Sequence, residues 1–527
     1  MNGPTEIITM TNNQKKSNPS NCPQVTSMSL VIVYSSMLAL KRDSQIWKTH
    51  TKSLYRRVMP NSTLAEVRGV RIHRGHNEVL RDASISIGTG EVLAVTGENG
   101  SGKSTLIEAF AGILPLREGE VIWFSESGDL VLRDSEGRRN SPPAMGLTLQ
   151  KDGICGDETV SERLSLALSV AGGDPQPNRI NALLGAWGLS HRSNERVSQL
   201  SRGLRRRLST LCGLAPAALS DSPRLVLLDE PSEGLDEDSK SILVGWIRAL
   251  AERKHGIIVA THDRDVSSCA DRVVTIEHST LKETPGESFG EAEEIPIASQ
   301  NVARNPISSL ISWSFRIEAR NPIDIVGRAT PAIVAILLSY ALVGEIDLES
   351  HDSRLLAALV LAPAFIVSVA SPAIVSRLSE EDSGRWWDAV VGPMSRPAYS
   401  ISGASIFLPI PITYLSWFVL SGSVDSEISS EVLKWLWVPS LALLDLAVAS
   451  TALHLMVSDL SRPSAAPAPL LLVVLVWPFL ELTDALSTII DQGMTFGLAI
   501  NDPIPTCLIA SLISALVWLA AVLIPDY

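Results

Sequence analysis

Five cysteines in 527 residues are few, and Cys22, Cys155, Cys212, Cys269 and Cys507 fall at no spacing that a zinc site or a disulfide framework uses. They read as reduced thiols. Positive charge is also short. Lys and Arg number 44 against 57 Asp and Glu, a formal charge of -13. No basic face long enough to track a phosphate backbone is left, so nucleic acid is excluded as the expected partner. Up to about residue 305 there is no apolar run of membrane-spanning length. Met28–Leu40 is apolar, but its thirteen residues are too few to cross a bilayer. Residues 1–58 are otherwise uninformative and are expected to be a disordered or misannotated extension, with Met59 as the natural start.

A chain this long exceeds one ordinary core. Its composition divides accordingly. Charged residues are frequent in the first 305 or so positions, whereas the remainder carries six apolar stretches separated by brief polar segments.

The strongest signal is "EVLAVTGENGSGKSTLIEAFAGIL". Glu91–Thr96 reads as a short buried strand, Gly97-x-x-x-x-Gly102-Lys103-Ser104 follows, and a helix-like stretch comes next. Such a loop needs glycine so that its backbone can wrap a phosphate with N–H groups aimed inward, and the helix start adds a positive dipole end. Gly97, Glu98, Asn99, Gly100, Ser101, Gly102, Lys103, Ser104 and Thr105 are therefore the expected nucleotide-binding residues. Lys103 is expected on the β/γ-phosphates and Ser104 on Mg²⁺. A secretion-signal role for Met28–Leu40 is rejected on this basis, because it would carry the site away from ATP.

Downstream, "RLVLLDEPSEGLD" places a second buried strand before Asp229 and Glu230. Asp229 is expected to hold the metal, directly or through water, and Glu230 to orient and polarise the attacking water. "GIIVATHD" supplies a third strand that ends at His262, a candidate γ-phosphate contact, and "LTLQ" ends at Gln150, a neutral Mg²⁺ ligand.

Taken in order, these motifs resemble the ATPase domain of the ABC transporter superfamily. The resemblance covers roughly residues 62–280 and implies ATP and Mg²⁺ as cofactors and a helical signature subdomain. It also implies that Asp236, in "SEGLD", lies in a dimer-contacting loop. "LSRGL" stands where the family has L-S-G-G-Q: Ser201 and Gly203 keep the positions that grip the γ-phosphate held by the opposite subunit, while Arg202 and Leu204 depart from the pattern. Arg202 through Arg207 are expected to keep the local potential positive. The family's usual adenine-stacking aromatic is missing from "RIHRGHNEVLRD", so Arg74 or His73 is expected to stack instead. A site completed by another copy implies a homodimer.

The expected fold is an α/β P-loop ABC ATPase domain over residues 59–280, a linker over 281–305, and an all-α six-span transmembrane domain over 306–527. Spans are expected near 329–346, 354–375, 399–420, 435–457, 465–482 and 504–524. Arg316, Arg320, Arg328, Arg377, Arg385, Arg396 and Arg462 lie on one set of flanks against Arg354 and Lys434 on the other. This bias places both termini and the ATPase in the cytoplasm of a plasma-membrane protein surrounded by lipid.

The segment "RLSEEDSGRWWDAVVGPMSRPAYSISGASI" is amphipathic and is expected to dock in a groove on the ATPase. Its "WWD" reads as a docking-helix face and not as a heme-handling motif. In "SSLISWSFRIEAR", Leu310, Trp313 and Ile317 share a face that suits a membrane-surface helix or a plain linker helix. Glu481–Pro503 is expected to dip into the outer leaflet. Asp445 and His454 fall on opposite faces of one span, with His454 a weak heme-ligand candidate.

The second half looks like the six-span membrane subunit of the heme exporter of cytochrome c maturation, and "LSRGLRRRLS" is similar to that system's ATP-binding subunit. This implies heme export with heme-handling partner proteins. Open alternatives are an ABC-2 exporter of a lipid, drug or polysaccharide, or a mechanochemical release factor that moves nothing across the membrane.

Overall fold

The computed structural model describes residues 62–125, 128–298, 301–345, 353–403, 408–424, 426–458 and 473–523. The expected extension over residues 1–58 lies outside them.

Two sheets build the N-terminal part. The first is antiparallel, in the order β2-β1-β4-β5, from β1 (Thr63–Arg74), β2 (Asn77–Gly88), β4 (Glu118–Ser125) and β5 (Gly128–Asp134). The second runs β10-β9-β3-β8-β7-β6, from β3 (Val92–Thr96), β6 (Gly146–Thr148), β7 (Leu225–Asp229), β8 (Gly256–Ala260), β9 (Arg272–Glu277) and β10 (Thr280–Pro285). All its pairings are parallel except β9 with β10. β7 and β8 are buried along their whole length, which is why "LVLLD" and "GIIVA" are unbroken apolar runs and do not alternate. Parallel strands put their carboxyl ends on one edge, and ligands of such sheets bind there. β10 carries the sheet past the boundary expected at residue 280.

Among the described residues, six α-helices complete this part: α1 (Lys103–Phe110), α2 (Val160–Val170), α3 (Pro177–Ala186), α4 (Arg202–Ala218), α5 (Glu237–Glu252) and α6 (Arg264–Ser268). α2 starts on a capping box. Thr159 Oγ1 accepts from Glu162 N at 3.3 Å, and Glu162 Oε2 accepts from Thr159 N at 3.0 Å. α4 lies on β6 and β7 at close range, because a side chain at Gly213 or Gly146 would collide with the facing backbone or with Thr148.

The C-terminal part is helical: α7 (Pro306–Ala319), α8 (Pro322–Glu345), α9 (Ser353–Val369), α10 (Ala373–Ser379), α11 (Ser383–Val391), α12 (Ser395–Ser402), α13 (Pro409–Leu420), α14 (Ser426–Trp435), α15 (Trp437–Ser458), α16 (Val476–Gln492) and α17 (Pro503–Leu523). Two apolar cores divide it. Leu310, Trp313, Ile317, Trp386, Trp387, Ala398 and Tyr399 belong to the core of the N-terminal part, whereas α8, α9 and α13–α17 surround a second one. The apolar face of α7 is therefore spent on protein and does not lie on a membrane. Trp313 sits 5.3 Å from Trp387, and its indole donates to the buried Glu158 at 3.0 Å.

Among the described residues, four segments are long and apolar enough to cross a membrane: Pro322–Val343, Ser353–Val391, Trp437–Val457 and Pro503–Leu523. Four of the six expected spans coincide with these. The second is broken, since α9 ends at Val369 before Pro372, which supplies no N–H to continue it. His454 Nε2 stands 3.1 Å from the Val369 carbonyl freed by that break, which gives His454 a structural partner. The expected third span is also divided. Tyr399 is on α12, in the core of the N-terminal part, and the apolar helix begins afresh at Pro409, a favoured first-turn residue. For the expected 465–482 span, residues 459–472 lie outside the described residues. Val476–Gln492 is one helix that buries Leu482, Ala485, Leu486 and Ile489, so the first part of Glu481–Pro503 is bundle helix and not a surface dip.

The expected linker is pinned at its end. Val302 N donates to Gly172 O at 2.8 Å, and Arg224 reaches Asn301 Oδ1 at 2.6 Å. Arg304 donates to Val170 O (2.8 Å), Pro142 O (2.5 Å) and Val390 O (2.5 Å), and its burial pulls its pKa down to about 10.

Candidate nucleotide site

The carboxyl ends of β3, β7 and β8 converge on a cleft of about 1250 Å³. It is lined by the whole loop from Gly97 to Thr105 and by Arg74, Asn77, Glu78, Val79, Gln150, Glu230, Glu233, His262 and residues 275–279. Gly97, Gly100 and Gly102 all have positive φ, and a Cβ on Gly102 would meet Val79 Cγ1 at 2.7 Å, so this turn tolerates little but glycine. Lys103, 7% exposed, donates from Nζ to Gly97 O at 3.0 Å and Glu98 O at 3.2 Å, and stands 3.8 Å from Glu230 Oε1. A cation held on its own loop carbonyls is poised to exchange them for phosphate oxygens.

Asp229 and Glu230 differ in role by geometry. Burial pushes the Asp229 carboxyl up to about 6, against the opposing pull of the neighbouring Ser104 hydroxyl. Its Oδ1 is buried without a hydrogen-bond partner among the described residues. An orphaned carboxylate oxygen beside a serine hydroxyl, with the Gln150 amide on the same cleft, is an all-oxygen donor set that fits a hard cation such as Mg²⁺. Glu230 is left-handed at φ 47, which costs a non-glycine residue about 1–2 kcal/mol. Its N–H donates to Ala260 O at 2.8 Å, and its Oε2 lies 2.8 Å from His262 Nδ1 and accepts from His262 N at 3.3 Å. The twisted peptide turns the Glu230 carboxylate toward the phosphate loop and the imidazole.

Ser201 and Gly203 do not join this cleft. Ser201 caps α4, its hydroxyl accepting from Leu204 N at 3.4 Å, and faces solvent. Asp236 caps α5 by accepting from Ser239 N at 3.0 Å and pairs with Arg207 at 2.9 Å; the Ser239 hydrogen bonds hold its carboxyl below the usual range.

One expectation needs correction. The arginines after Ser201 do not sum to a positive patch, because Arg202 pairs with Glu233, Arg205 with Glu381, Arg206 with Asp152 and Arg207 with Asp236. Of the two residues expected to stack on a base, Arg74 lines the cleft with its guanidinium paired to Glu108, which also holds Arg385 at 2.9 Å, and His73 does not line the cleft. The apolar surface offered near the loop is Val79, packed on Gly102. No aromatic pattern marked it in the sequence. Arg206 was also missed, although Arg206, Thr210, Gly213 and Ala217 recur at helical spacing on one buried face, a signal that it points inward.

The docking segment meets the cleft from outside. Gly153, in the loop after Gln150, donates its N–H to Glu381 O at 2.9 Å and leaves only 3.1 Å between an added Cβ and Trp386 Cβ. Arg163 lies 3.9 Å over the Trp386 ring, and Arg139 pairs with Asp388 at 2.7 Å. Both tryptophans of "WWD" are buried here, as expected of a docking-helix face.

The family model described as "ABC transporter" matches residues 80–233. The lipoprotein-releasing system ATP-binding protein LolD 1 of Chlorobium luteolum is 32% identical over 212 residues, covering 39% of this chain and 88% of that protein. The macrolide export ATP-binding/permease protein MacB of Nitrosomonas europaea is 33% identical over 227 residues, 41% of this chain and 33% of that protein. MacB of Psychrobacter cryohalolentis is 30% identical over 233 residues, 43% and 34% respectively. The chain thus matches only about a third of the length of the MacB relatives, and in all three cases well under half of its own. With most of LolD 1 covered and the phosphate loop, Asp229-Glu230 and His262 gathered on one sheet edge, the chain belongs to the ABC transporter family through an ABC-type ATPase domain.

Proposed function

We propose that the protein is an ATP-driven exporter of the plasma membrane, working as a homodimer with its ATPase domains and termini in the cytoplasm. The observation that carries this reading is the burial of α11 in the ATPase core, directly against the loop that bears Gln150. A helix held there, at the end of one membrane-long segment and ahead of the next, is the part through which nucleotide chemistry can move the bundle.

ATP binds along the loop from Gly97 to Thr105, with its phosphates on the backbone N–H groups and Lys103. Ser104, Gln150 and Asp229 would hold Mg²⁺, which would supply charge neutralisation on the phosphates. Glu230 orients a water for in-line attack and accepts its proton as the water oxygen bonds the γ-phosphorus; the bond to the leaving ADP oxygen breaks as ADP and phosphate form. His262 fixes the Glu230 carboxylate at 2.8 Å and faces the transferred phosphate. Ser201 and Gly203 stand outside their own cleft, so each copy lends this hydroxyl and amide to the other, and Asp236 lies along the shared face. Six spans per chain, four of them only partly within the described residues, complete the bundle.

The cargo we assign is heme, delivered for cytochrome c maturation with heme-handling partners, on the likeness of the membrane half and of "LSRGLRRRLS" to that exporter. Inside-out vesicles holding the protein should accumulate heme only with ATP. Flux of a lipid, drug or polysaccharide would replace the cargo. ATP-dependent release of a partner without any flux would replace transport itself. Glu230→Gln should keep nucleotide binding and lose turnover, and normal turnover would remove Glu230 from its role.

A further inference from the structure

Arg206 holds a place that the hydrolysis scheme above does not use. It is 4% exposed, on the second turn of α4, and its guanidinium donates to Leu149 O at 2.7 Å, Gln150 O at 3.2 Å, Glu230 O at 2.7 Å and Asp229 O. Asp152 Oδ1 balances its charge at 3.2 Å. The four carbonyls come from two separate segments: the end of β6, which presents Gln150, and the end of β7, which presents the two carboxylates. Gln150 and Glu230 both line the nucleotide cleft.

Only a guanidinium can serve this set. It offers five N–H donors in one plane, whereas an ammonium offers three from a point, and a neutral side chain leaves buried carbonyls without donors. The demand is greatest at Glu230, whose left-handed backbone stays put only while the peptides on both sides are held. Ala260 O holds its N–H, and Arg206 holds the carbonyls of Asp229 and Glu230.

We propose that Arg206 is a positioning residue for ATP hydrolysis: one guanidinium ties the Gln150 loop to the Asp229-Glu230 peptides and so sets where the Glu230 carboxylate stands relative to the Gln150 amide. This rests on the ATPase reading above and deepens it. Arg206 also closes a path from the membrane half. Its neighbour Arg205 pairs with Glu381 at 3.3 Å, and Glu381 O accepts from Gly153 in the same loop as Gln150. A shift of the docking segment therefore reaches the two sides of the cleft together.

The test is steady-state hydrolysis by the full chain in lipid nanodiscs over a range of Mg-ATP, for wild type, Arg206→Met, Arg206→Lys and Asp152→Asn, with melting curves for each. Arg206→Met should lower kcat about 30-fold or more while KM moves less than about 3-fold, because the lost bonds orient the attacking group and not the bound phosphates. Arg206→Lys should fall between Met and wild type at unchanged KM, and Asp152→Asn should cost less than about 3-fold, since it leaves the carbonyl bonds in place. Loss carried mainly by KM, wild-type kcat in Arg206→Met, or Asp152→Asn as severe as Arg206→Met would each overturn the proposal. If the Met variant does not fold, Lys against Asn decides: a kcat loss in Lys alone supports it, and a loss in Asn alone overturns it. A wild-type protein that hydrolyses nothing would instead refute the ATPase reading.

Discussion

Replacing Trp387 by alanine should unlatch the docking helix from the ATPase while leaving the nucleotide cleft intact. Trp387 is fully buried, 5.3 Å from Trp313 and 5.2 Å from Trp386. Truncating a buried tryptophan costs about 3–5 kcal/mol in transfer and cavity terms. Its Nε1 is buried without a partner among the described residues, so removing the indole returns about 1 kcal/mol of desolvation. That leaves about 2–4 kcal/mol, and even the lower end, about 2 kcal/mol, multiplies the docked-to-undocked opening constant by about 30. The reporter is the Gly153 amide, whose acceptor is Glu381 O at 2.9 Å across this joint. Hydrogen exchange in Trp387→Ala should quicken by about 30-fold at Gly153 while β3 and β8 keep wild-type protection. An unchanged Gly153 rate, or an equal rise through the central sheet, would refute the reasoning, the first by showing no local latch and the second by showing global loss.

Gly153→Ala should weaken the same joint by a different route, since φ +68 strains any side chain and the new Cβ meets Trp386; crosslinking of the docking helix to the Gln150 loop should fall. Arg320 holds the Glu162 carboxyl down to about 2 through a hydrogen bond at 2.7 Å, so this contact contributes stability above the ordinary carboxylate range near 4.5 and loses it as pH falls toward 2. Arg320→Met should move the acid-induced loosening of α2 from the region near pH 2 up toward 4.5, read by exchange of the α2 amides; identical acid profiles would remove the pair from that role. His454→Leu leaves the Val369 carbonyl without its donor and should loosen the α9–α10 break, while His454→Gln, which can still donate, should hold it; site-directed spin labels on Ala357 and Val375 report the difference.

The phosphate loop, Asp229, Glu230, His262 and Gln150 were legible because each is fixed by local sequence: a glycine turn before a helix, or an acid or imidazole at the end of an apolar strand. The buried docking helix was legible too, since "GRWWDAVV" has one apolar face and needed a groove. What was not legible depended on distant partners. The basic run after Ser201 looked like a patch because its carboxylates, Glu233, Asp236, Asp152 and Glu381, are remote in sequence. The apolar face of α7 reads the same whether it meets lipid or Trp387, and only the tertiary packing distinguishes them. Span ends were blurred for a similar reason: hydropathy counts apolar residues through Pro372 and Gly403 without registering that the backbone breaks there.

Arg304 gives the covalent join between the halves a mechanical meaning. One side chain grips the ATPase at Val170 and Pro142 and the tail of the docking helix at Val390, so the chain crosses from one half to the other at the very point where the docking helix ends. Lengthening or cutting the polypeptide just before this arginine would slacken a strut that two separately made subunits would have to replace by affinity alone.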